Sequence, residues 1–503
     1  MYRMLKKITS FIISSIMVTN LGMITVHARP DWPSDTGIMA GAGIVMDADS
    51  KTVLFGQQIH VPFSPASITK LLTALIVAEN SSLDEMVTFS HSAVYDVEAG
   101  SGNKLALDEG DQISVEDCLH MLMLLSSNQS ANALAEHVAG SREAFVEMMN
   151  ERIAAIGCKE SHFANPSGLN DSQQYVSAYD MALIAAEAFE NETVMKISST
   201  KKYRVSPTIN NPEGANISME HKILMAENSS SQFYCEGALA GKIGYTSIAG
   251  NTLVTYARRD GRNLICVILK GTQPQYYLDG KTILNFGFAS FKNESVQNSE
   301  TFLQEQQELE YQGGSCPTSR LRLEDSVITI PATAQFFDAE RNLITELPQG
   351  HPEAAVAMLQ YTYNDRKVGS AYVYDKELEA RLAAGETVGG SEEETEGSSG
   401  GEEESPGSGS EETLPDETEA ERTPGGRFQP DAGQMRTGAV VLAAAAIAGA
   451  VVFVVMRKRR KERLRREERR ERRRQRLSEI GYNEEDFEEL MRRRKKEAAD
   501  RKG

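Results

Sequence analysis

With 503 residues, the chain is long enough for two folded domains and additional segments, since a domain typically takes about 100–200 residues. Its net charge of −19 is unevenly distributed along the chain, which indicates segments of different kinds. Five scattered cysteines without a Cys-x-x-Cys pair argue against a disulfide framework, and no cluster of cysteines and histidines has the spacing of a zinc site.

Residues 1–28 have the features of an export signal. Basic residues at positions 3, 6 and 7 precede a mostly apolar stretch over residues 8–26, and the sequence Val-His-Ala at 26–28 provides small residues where a signal peptidase cleaves. An uncleaved membrane anchor is the alternative, although polar residues at positions 14, 15 and 20 weaken the stretch as a membrane span. The sequence therefore predicts a signal peptide and an exported protein.

The segment from residue 36 to residue 291 is predicted to be one mixed α/β domain. Its two ends contain short apolar runs typical of strands, whereas apolar residues in its middle recur at helical spacing. We predict strands at 41–46, 52–56, 237–245, 251–258 and 263–270, and helices at 67–79, 115–125, 131–138 and 278–286. Strands from both ends with helices between them indicate a sheet that the N- and C-terminal segments build together.

Two segments of different composition follow this domain. Residues 294–376 alternate between apolar and polar positions with Gly/Pro punctuation, which predicts a small β-rich second domain, and a short closing helix is predicted at 377–384. Residues 386–430 contain 14 acidic residues and two arginines but almost no large apolar residue, so they cannot bury a core. We expect an acidic disordered stalk there.

Residues 437–456 form an uncharged stretch rich in Ala, Val and Ile, long enough as a helix to cross about 30 Å of hydrocarbon. Five basic residues follow at once, and the tail 457–503 contains 21 basic and 12 acidic residues. Because basic clusters remain on the cytoplasmic side of a membrane, the sequence predicts a single-pass cell-membrane protein with an extracellular body and a basic cytoplasmic tail. A buried helix of a soluble domain is the alternative, which the flanking charges disfavour.

Ser67 and Lys70 form an S-x-x-K motif at the start of the predicted helix 67–79. A hydroxyl is a weak nucleophile at neutral pH and needs a nearby base. The spacing places both side chains on one helical face, where a lysine whose pKa is lowered by burial and a second cation could accept the serine proton. Alone, the same pattern usually denotes a helix N-cap serine followed by a surface lysine.

Two further motifs follow along the chain. Ser126-x-Asn128 lies between two predicted helices, where the hydroxyl could relay a proton towards a leaving amine and the amide could hold a substrate backbone group. Lys242-Ile243-Gly244 lies at the end of a predicted strand, where glycine would allow close backbone approach and lysine would add a second positive charge near an anionic substrate. Taken singly, the first would be a polar turn and the second an ordinary strand end.

Together, the three motifs resemble those of the penicillin-binding, serine-acylating family, which are S-x-x-K, S-x-N and K-T-G. The surrounding sequence resembles the low-molecular-mass D-alanyl-D-alanine carboxypeptidases: PASITKLLTAL at 65–75, FANPSGL at 163–169, SAYDMAL at 177–183, GYT at 244–246 and AGN at 249–251. The resemblance covers residues 36–290 and, more loosely, the β-rich region. The expected fold class is α/β: a serine β-lactamase or penicillin-binding-type domain with an antiparallel sheet flanked by helices, then a small β-rich domain, a disordered stalk and one transmembrane helix.

The resemblance also implies a role for each motif. Ser67 would attack the carbonyl between two terminal D-alanines, with Lys70 as general base and Ser126 passing the proton to the departing D-alanine. The residues that would bind the substrate are Asn128, Lys242, Gly244, Tyr245 and Thr246. The backbone N–H groups of Ser67 and Tyr245 would form the oxyanion hole. The implied partners are peptidoglycan stem peptides ending in D-Ala-D-Ala and β-lactams as covalent inhibitors; no metal, organic cofactor or nucleic acid is implied.

The sequence departs from the family pattern at Ile243, which replaces the threonine of K-T-G. Isoleucine cannot donate a side-chain hydrogen bond to the substrate carboxylate, a loss of roughly 1.5–3 kcal/mol. Thr246 or a water molecule could substitute. We expect altered specificity or slow turnover rather than an inactive enzyme, because the proton-transfer groups remain. A catalytically impaired peptidoglycan- or β-lactam-binding protein is the alternative.

A β-lactamase is a further alternative, because it shares the acylation motifs and, in one class, deacylates through a glutamate in a Glu-x-x-x-Asn pattern. Glu187 and Asn191 match that spacing, although they end an apolar helical stretch. The second domain, stalk and membrane span favour a cell-wall enzyme instead. A transpeptidase or endopeptidase would use the same acyl-enzyme, and no motif distinguishes these reactions.

Overall fold

The computed structural model of the chain describes residues 29–385, apart from positions 35, 99, 312, 313 and 349. The predicted signal peptide (1–28), acidic stalk (386–430), membrane span (437–456) and cytoplasmic tail (457–503) lie outside the described residues. Within the part that is described, no helix combines the length and the apolar character that crossing a membrane requires.

The described chain contains both helices and strands throughout. The strands are β1 Ala42–Asp47, β2 Val53–Gln57, β3 Met86–Thr88, β4 Gln112–Ser114, β5 Lys202–Val205, β6 Ala215–Ser218, β7 Ala238–Thr246, β8 Gly250–Arg259, β9 Arg262–Gly271, β10 Phe291–Ser295, β11 Glu308–Tyr311, β12 Gly314–Pro317, β13 Leu321–Leu323, β14 Val327–Pro331, β15 Glu340–Ile344, β16 Ala355–Tyr363 and β17 Arg366–Asp375. The helices are α1 Lys70–Asn80, α2 His91–Tyr95, α3 Val115–His120, α4 Asn128–Ala139, α5 Arg142–Ile156, α6 Ala178–Glu190, α7 Glu192–Ser199, α8 Lys222–Met225, α9 Gln275–Ser290, α10 Val296–Ser299, α11 Phe302–Glu305 and α12 Lys376–Ala383.

An antiparallel five-stranded sheet in the order β2-β1-β9-β8-β7 lies at the centre of the first domain. Successive side chains of a strand point to opposite faces of its sheet, and here both faces are apolar. In β1, Ile44 packs into the core on one face and Val45 into the core on the other; in β9, Val267 and Ile268 divide in the same way. Helix α6 contributes to the first core and helix α9 to the second, so helices cover both faces.

The two ends of this domain build the sheet together, as the sequence predicted, because β1 pairs with β9. The strands predicted at the far end correspond to β7, β8 and β9, and the helix predicted at 278–286 lies within α9. The helical pattern predicted over 115–125 is confirmed in its bounds but is not one regular α-helix: α3 ends at His120, and a π-helical turn, Met121–Leu125, continues it. Such π turns occur frequently at functional sites, and this one ends next to the second predicted motif.

The residues after α9 form a β-rich domain with a core of its own. Strand β10 pairs with β14 and β11 with β12, while β13-β17-β16-β15 form a four-stranded antiparallel sheet. Ile328, Leu359 and Val373 are among the apolar side chains that fill this core. The short helix predicted at 377–384 is α12, which begins and ends one residue earlier.

The segment before β1 crosses to the β-rich domain. The ring centroid of Trp32 lies 4.8 Å from that of Phe291 and 6.1 Å from that of Tyr363. A second connection is made by two buried hydroxyls, since Ser50 Oγ lies 2.6 Å from Thr329 Oγ1. These contacts hold the α/β domain and the β-rich domain together.

Candidate active site

The backbone next to Ser67 is held in a strained conformation by its neighbours. Ala66 has a φ of +50°, in the left-handed region, which is unfavourable for a residue with a Cβ by about 1–2 kcal/mol. The Thr252 hydroxyl donates to the Pro65 carbonyl at 2.8 Å, and the Thr69 hydroxyl donates to the carbonyl of Ala66 at 2.9 Å. These bonds stabilise the turn and thereby fix the direction of the Ser67 side chain.

Ser67 and Lys70 face each other because of this turn. The structure has a 3-10 turn at Ala66–Thr69 before α1, rather than the regular helix that the sequence predicted. A 3-10 helix has three residues per turn, so side chains at positions i and i+3 stand in line. The Lys70 Nζ atom accordingly lies 3.1 Å from Ser67 Oγ.

Three oxygen atoms surround the Lys70 amine. Besides Ser67 Oγ, they are the side-chain oxygen of Asn128, at 2.8 Å, and the backbone carbonyl oxygen of Ser167. Amide and carbonyl oxygens only accept hydrogen bonds, so each of these two must receive an N–H from Nζ. In a neutral amine the remaining position is a lone pair, to which the Ser67 hydroxyl can donate. This arrangement suits a neutral Lys70 that accepts the serine proton.

Burial and positive neighbours favour the neutral form of Lys70. The residue is fully buried, and loss of hydration lowers its pKa well below the usual value. The positive charges of Lys242 and Lys104 lower the pKa of Lys70 further. A lower pKa of this kind increases the fraction of neutral lysine, which is the form that can act as a base.

The second motif follows the π-helical turn, which ends at Ser126 with a φ of +59°. The Ser127 hydroxyl caps helix α4 by accepting from the backbone N–H of Ser130 at 3.0 Å. Asn128 is therefore the first residue of that helix and is directed towards the lysine amine. The buried hydroxyl of Ser126 has no hydrogen-bond partner among the described residues, so it is available to a bound substrate.

The contribution of Ser167 was missed at the level of the sequence. Its carbonyl reaches Lys70 because residues 165–168 form a turn around the Asn165 side chain, whose oxygen accepts from the N–H of Ser167 at 3.2 Å and of Gly168 at 2.8 Å. Asn, Pro, Ser and Gly in succession are typical turn residues, so the turn could have been predicted. A backbone carbonyl has no signature in the sequence, so the hydrogen bond between the Ser167 carbonyl and Lys70 could not have been predicted.

Strand β7 forms another wall of the site. It is the edge strand of the five-stranded sheet, so one side of its backbone is left without a neighbouring strand of that sheet. Gly244 is required by close approach, because a Cβ there would lie 2.6 Å from the backbone nitrogen of Ser67 and 2.5 Å from Thr252 Oγ1. The strand and the nucleophile are therefore in direct backbone contact.

Lys242 precedes this contact and is almost completely buried. Its Nζ donates to the carbonyl of Ile243 at 2.9 Å. Burial lowers the pKa of Lys242 to about 7, and the positive charge of Lys104 acts in the same direction, whereas the negative charge of Glu220 opposes the shift. The third motif thus supplies an amine whose charge depends on its surroundings near neutral pH.

Strand β7 also carries Ile243, Tyr245 and Thr246, which line the cleft and differ in their surroundings. The Ile243 side chain packs against the apolar cluster that contains Tyr276. Tyr245 is 66% exposed, and the Thr246 hydroxyl accepts from the N–H of Ala249 at 3.0 Å. The hydroxyl proton of Thr246 is still available for donation, since this bond uses only the oxygen.

These residues surround one open cleft of about 850 Å³. All the predicted site residues line it except Lys70 and Lys242, which are buried behind its surface. Lys104, Glu220 and Glu98 also line the cleft, and none of the three belongs to a sequence motif.

The Glu-x-x-x-Asn pattern does not belong to this cleft. Glu187 accepts from Arg152 Nη2 at 2.7 Å, and the Asn191 side chain caps helix α7 by accepting from the N–H of Thr193 at 3.0 Å. Neither Glu187 nor Asn191 lines the cleft. The β-lactamase alternative therefore loses the sequence pattern on which it was based.

A serine that faces a buried lysine with a lowered pKa on an α/β fold defines a class: the acylating serine hydrolases with a lysine base. Comparison with known proteins identifies the family. A family model described as D-alanyl-D-alanine carboxypeptidase matches residues 28–273. The D-alanyl-D-alanine carboxypeptidase DacB2 of Mycobacterium tuberculosis is 30% identical over 273 residues, which cover 53% of this chain and 86% of that protein. DacA of Haemophilus influenzae is 28% identical over 387 residues, or 73% and 92% of the two chains.

The chain therefore belongs to the D-alanyl-D-alanine carboxypeptidase family of serine peptidases. Among solved structures, penicillin binding protein 5 from Haemophilus influenzae is similar with a TM-score of 0.55 and 26% identity, over 68% of this chain and 98% of that chain. This similarity confirms the predicted penicillin-binding-type α/β fold with its antiparallel sheet and helices.

Proposed function

We propose that this protein is a serine-type D-alanyl-D-alanine carboxypeptidase that removes the terminal D-alanine from peptidoglycan stem peptides. The observation that carries the proposal is the 3.1 Å contact between Lys70 Nζ and Ser67 Oγ, in which the amine's other two positions are taken by obligate acceptors. Family membership supplies the substrate class and the expected sensitivity to penicillin.

Acylation begins when Ser67 Oγ attacks the carbonyl carbon between the two D-alanines and its proton passes to Lys70 Nζ. The charge that develops on the carbonyl oxygen is stabilised by the backbone N–H groups of Ser67 and Tyr245. The C–N bond then breaks, and the departing D-alanine amine receives the proton from Lys70 through the hydroxyl of Ser126. The Ser126 hydroxyl lines the cleft and has no hydrogen-bond partner among the described residues, so the relay requires it to bond to Lys70 Nζ and to the leaving amine when the substrate binds. An ester on Ser67 remains.

Deacylation repeats these steps with water. A water molecule attacks the ester carbon and gives a proton to Lys70, the C–O bond breaks, and the proton returns to Ser67 Oγ. A β-lactam would acylate Ser67 by the same attack, with opening of its ring, and the opened product stays attached to the serine.

The substrate peptide is proposed to lie along the edge of β7. An unpaired strand edge can bind an extended peptide through main-chain hydrogen bonds. The side of the cleft that would hold this peptide is lined by Asn128, Gly244, Tyr245 and Thr246, and Lys242 contributes charge beneath it.

We also propose that both described domains lie outside the cell membrane, as the charge pattern of the sequence indicates. Residues 1–28 would direct export, 437–456 would span the membrane, 386–430 would be the stalk and 457–503 the cytoplasmic tail. A chain that ends at residue 436 should be released into the medium, whereas the full chain should remain with the membrane fraction. Retention of the shortened chain in the membrane fraction would contradict this topology.

The enzymatic proposal is tested with the purified full-length protein and diacetyl-L-Lys-D-Ala-D-Ala. Release of free D-alanine that is lost in Ser67→Ala, but kept in Ser199→Ala on the surface of α7, would support the carboxypeptidase. Labelling of Ser67 by a fluorescent penicillin without release of D-alanine would instead indicate a binding protein with impaired turnover. Absence of both release and labelling would contradict the enzymatic function.

A further inference from the structure

A lysine outside the three motifs, Lys104, stands on a rigid turn at the edge of the cleft. The Asn103 side chain accepts from the N–H of Leu107 at 2.9 Å and donates to its carbonyl at 2.8 Å. The side chain of Asn210 donates to the carbonyl of Ala106 at 2.7 Å, and that of Asn211 donates to the carbonyl of Leu105 at 2.6 Å. The backbone that carries Lys104 is therefore fixed, whereas its side chain is half exposed.

The Lys104 side chain reaches across to the second motif. Its Nζ donates to the carbonyl of Leu125, the residue before Ser126, at 3.1 Å, and to Glu220 Oε1 at 2.8 Å. The side chains of Lys104 and Glu220 are 50% and 49% exposed. Ion pairs of this kind contribute only about 0–1 kcal/mol, because water screens them. Lys104 can therefore exchange Glu220 for another carboxylate with little loss of stability.

Lys104 is also close to the reacting groups. It lines the same cleft as Ser67, and its positive charge lowers the pKa values of both Lys70 and Lys242. In the described cleft lining, the basic residues are Lys104 and Lys222, and Lys104 is the one bonded next to Ser126.

The substrate ends in a carboxylate that this site must neutralise. Ile243 has no hydroxyl to offer it, and one N–H of the Lys242 amine is already bonded to the Ile243 carbonyl. Burial lowers the pKa of Lys242 to about 7, so the charge of this amine near neutral pH depends on its surroundings. Lys104, the cleft-lining lysine bonded next to Ser126, offers a second amine in the cleft.

We propose that Lys104 is a specificity-determining residue that recognises the C-terminal carboxylate of the substrate. When the peptide binds, the Lys104 ammonium leaves Glu220 and pairs with this carboxylate, while its bond to the Leu125 carbonyl keeps it beside Ser126. Glu220 is accordingly a competitor of the substrate for Lys104 in the empty site. This inference rests on the proposed carboxypeptidase function.

The test compares two substrates that differ only in their last group, diacetyl-L-Lys-D-Ala-D-Ala and its C-terminal amide, with the full-length protein. Lys104→Gln should lower kcat/KM for the acid about tenfold, mainly through KM, and for the amide less than about twofold. In a Glu220→Gln background, Lys104→Gln should lower kcat/KM for the acid about threefold more than it does in the wild-type background, because Lys104 then has no competitor. The loss of the Glu220 charge also lowers the pKa of Lys242, but this effect is common to both proteins that are compared. Lys104→Arg, which keeps the charge, should restore most of the activity.

Lys196→Gln is the matched control, since Lys196 and Glu116 form an exposed pair at 3.3 Å and neither lines the cleft. Equal losses for the acid and the amide would overturn the inference, because they would indicate that Lys104 only supports the structure. An effect of Lys104→Gln that is no larger in the Glu220→Gln background would overturn it as well.

If the wild-type protein releases no D-alanine, it is the carboxypeptidase proposal that fails. The rate at which benzylpenicillin, which also bears a carboxylate, acylates the protein then decides the role of Lys104 by itself. A rate about tenfold lower in Lys104→Gln would support carboxylate recognition, and an unchanged rate would reject it.

Discussion

Gly168 lies so close to Ala66 that a Cβ atom on the glycine would stand 2.0 Å from the Ala66 carbonyl oxygen. Since Ser67 follows Ala66 directly, a side chain at position 168 would displace the backbone of the nucleophile. We predict that Gly168→Ala lowers the rate of Ser67 acylation at least about 100-fold, because small displacements of a reacting atom have effects of this size. A fluorescent penicillin measures this rate.

Gly157→Ala is the control for this prediction. Gly157 also has a positive φ, of +93°, but a Cβ there would meet nothing within 4 Å. Alanine at this helix end should lower the free energy of unfolding by about 1 kcal/mol and leave acylation unchanged. Similar losses of acylation in the two variants would attribute the effect to backbone strain rather than to contact with Ala66.

Ile243→Thr would add the hydroxyl that the third motif lacks. The new donor should lower KM for diacetyl-L-Lys-D-Ala-D-Ala about 10- to 100-fold, the range for one additional hydrogen bond to a charged group. It should also reduce the effect of Lys104→Gln, because the two donors would serve the same carboxylate. Steady-state kinetics of the single and double variants measure both effects, and an unchanged KM in Ile243→Thr would place the carboxylate elsewhere.

The pH dependence of kcat/KM should be bell-shaped because two buried lysines must carry different charges. Lys70 must be neutral, so activity falls as acid protonates it, at a pH set by its depressed pKa. Lys242 must be protonated, so activity falls as the pH rises through its pKa of about 7 in the free enzyme. A bound carboxylate raises the pKa of Lys242, so the alkaline limb of kcat should lie at higher pH.

Kinetics with the acid and amide substrates between about pH 5 and 10 test this dependence. The alkaline fall should be clear for the acid and weak for the amide, which has no carboxylate for Lys242 to neutralise. If kcat/KM for the acid substrate stays constant up to the highest pH measured, the charge of Lys242 is not required.

Trp32→Ala should destabilise the protein by about 2–3 kcal/mol, because it removes a large side chain from contact with Phe291 and Tyr363. Thermal unfolding measures this change. Phe337→Ala is a suitable control, since Phe337 is an aromatic residue that is 81% exposed, and its loss should change stability by less than about 0.5 kcal/mol. Equal effects of the two substitutions would show that Trp32 does not join the domains.

The strands of the central sheet could be predicted because both of their faces are buried. Residues such as Val267 and Ile268 must all be apolar when helices lie on both sides, and this leaves a continuous apolar run in the sequence. The π-helical turn after His120 could not be predicted, since its residues, Met121–Leu125, are as apolar as those of a regular helix. Its shape depends on packing rather than on local preference.

The site shows the same division between local and distant effects. Ser67 and Lys70 are three positions apart, so a single turn brings them together whatever the remaining fold. Asn128 and Ser167 lie 58 and 97 positions from Lys70, and only the folded chain shows that their oxygens surround its amine. The Lys104–Glu220 pair, 116 positions apart, has no motif at all.

Both ends of the described chain are attached to the β-rich domain. Arg29 pairs with Glu340 at 2.8 Å and lies over the Tyr363 ring, while helix α12 directly follows β17. A mechanical force that pulls these ends apart is therefore borne first by the β-rich domain and by the contacts of Arg29. The five-stranded sheet and Ser67 lie outside this path, so tension along the chain should leave the geometry of the nucleophile unchanged until those contacts break.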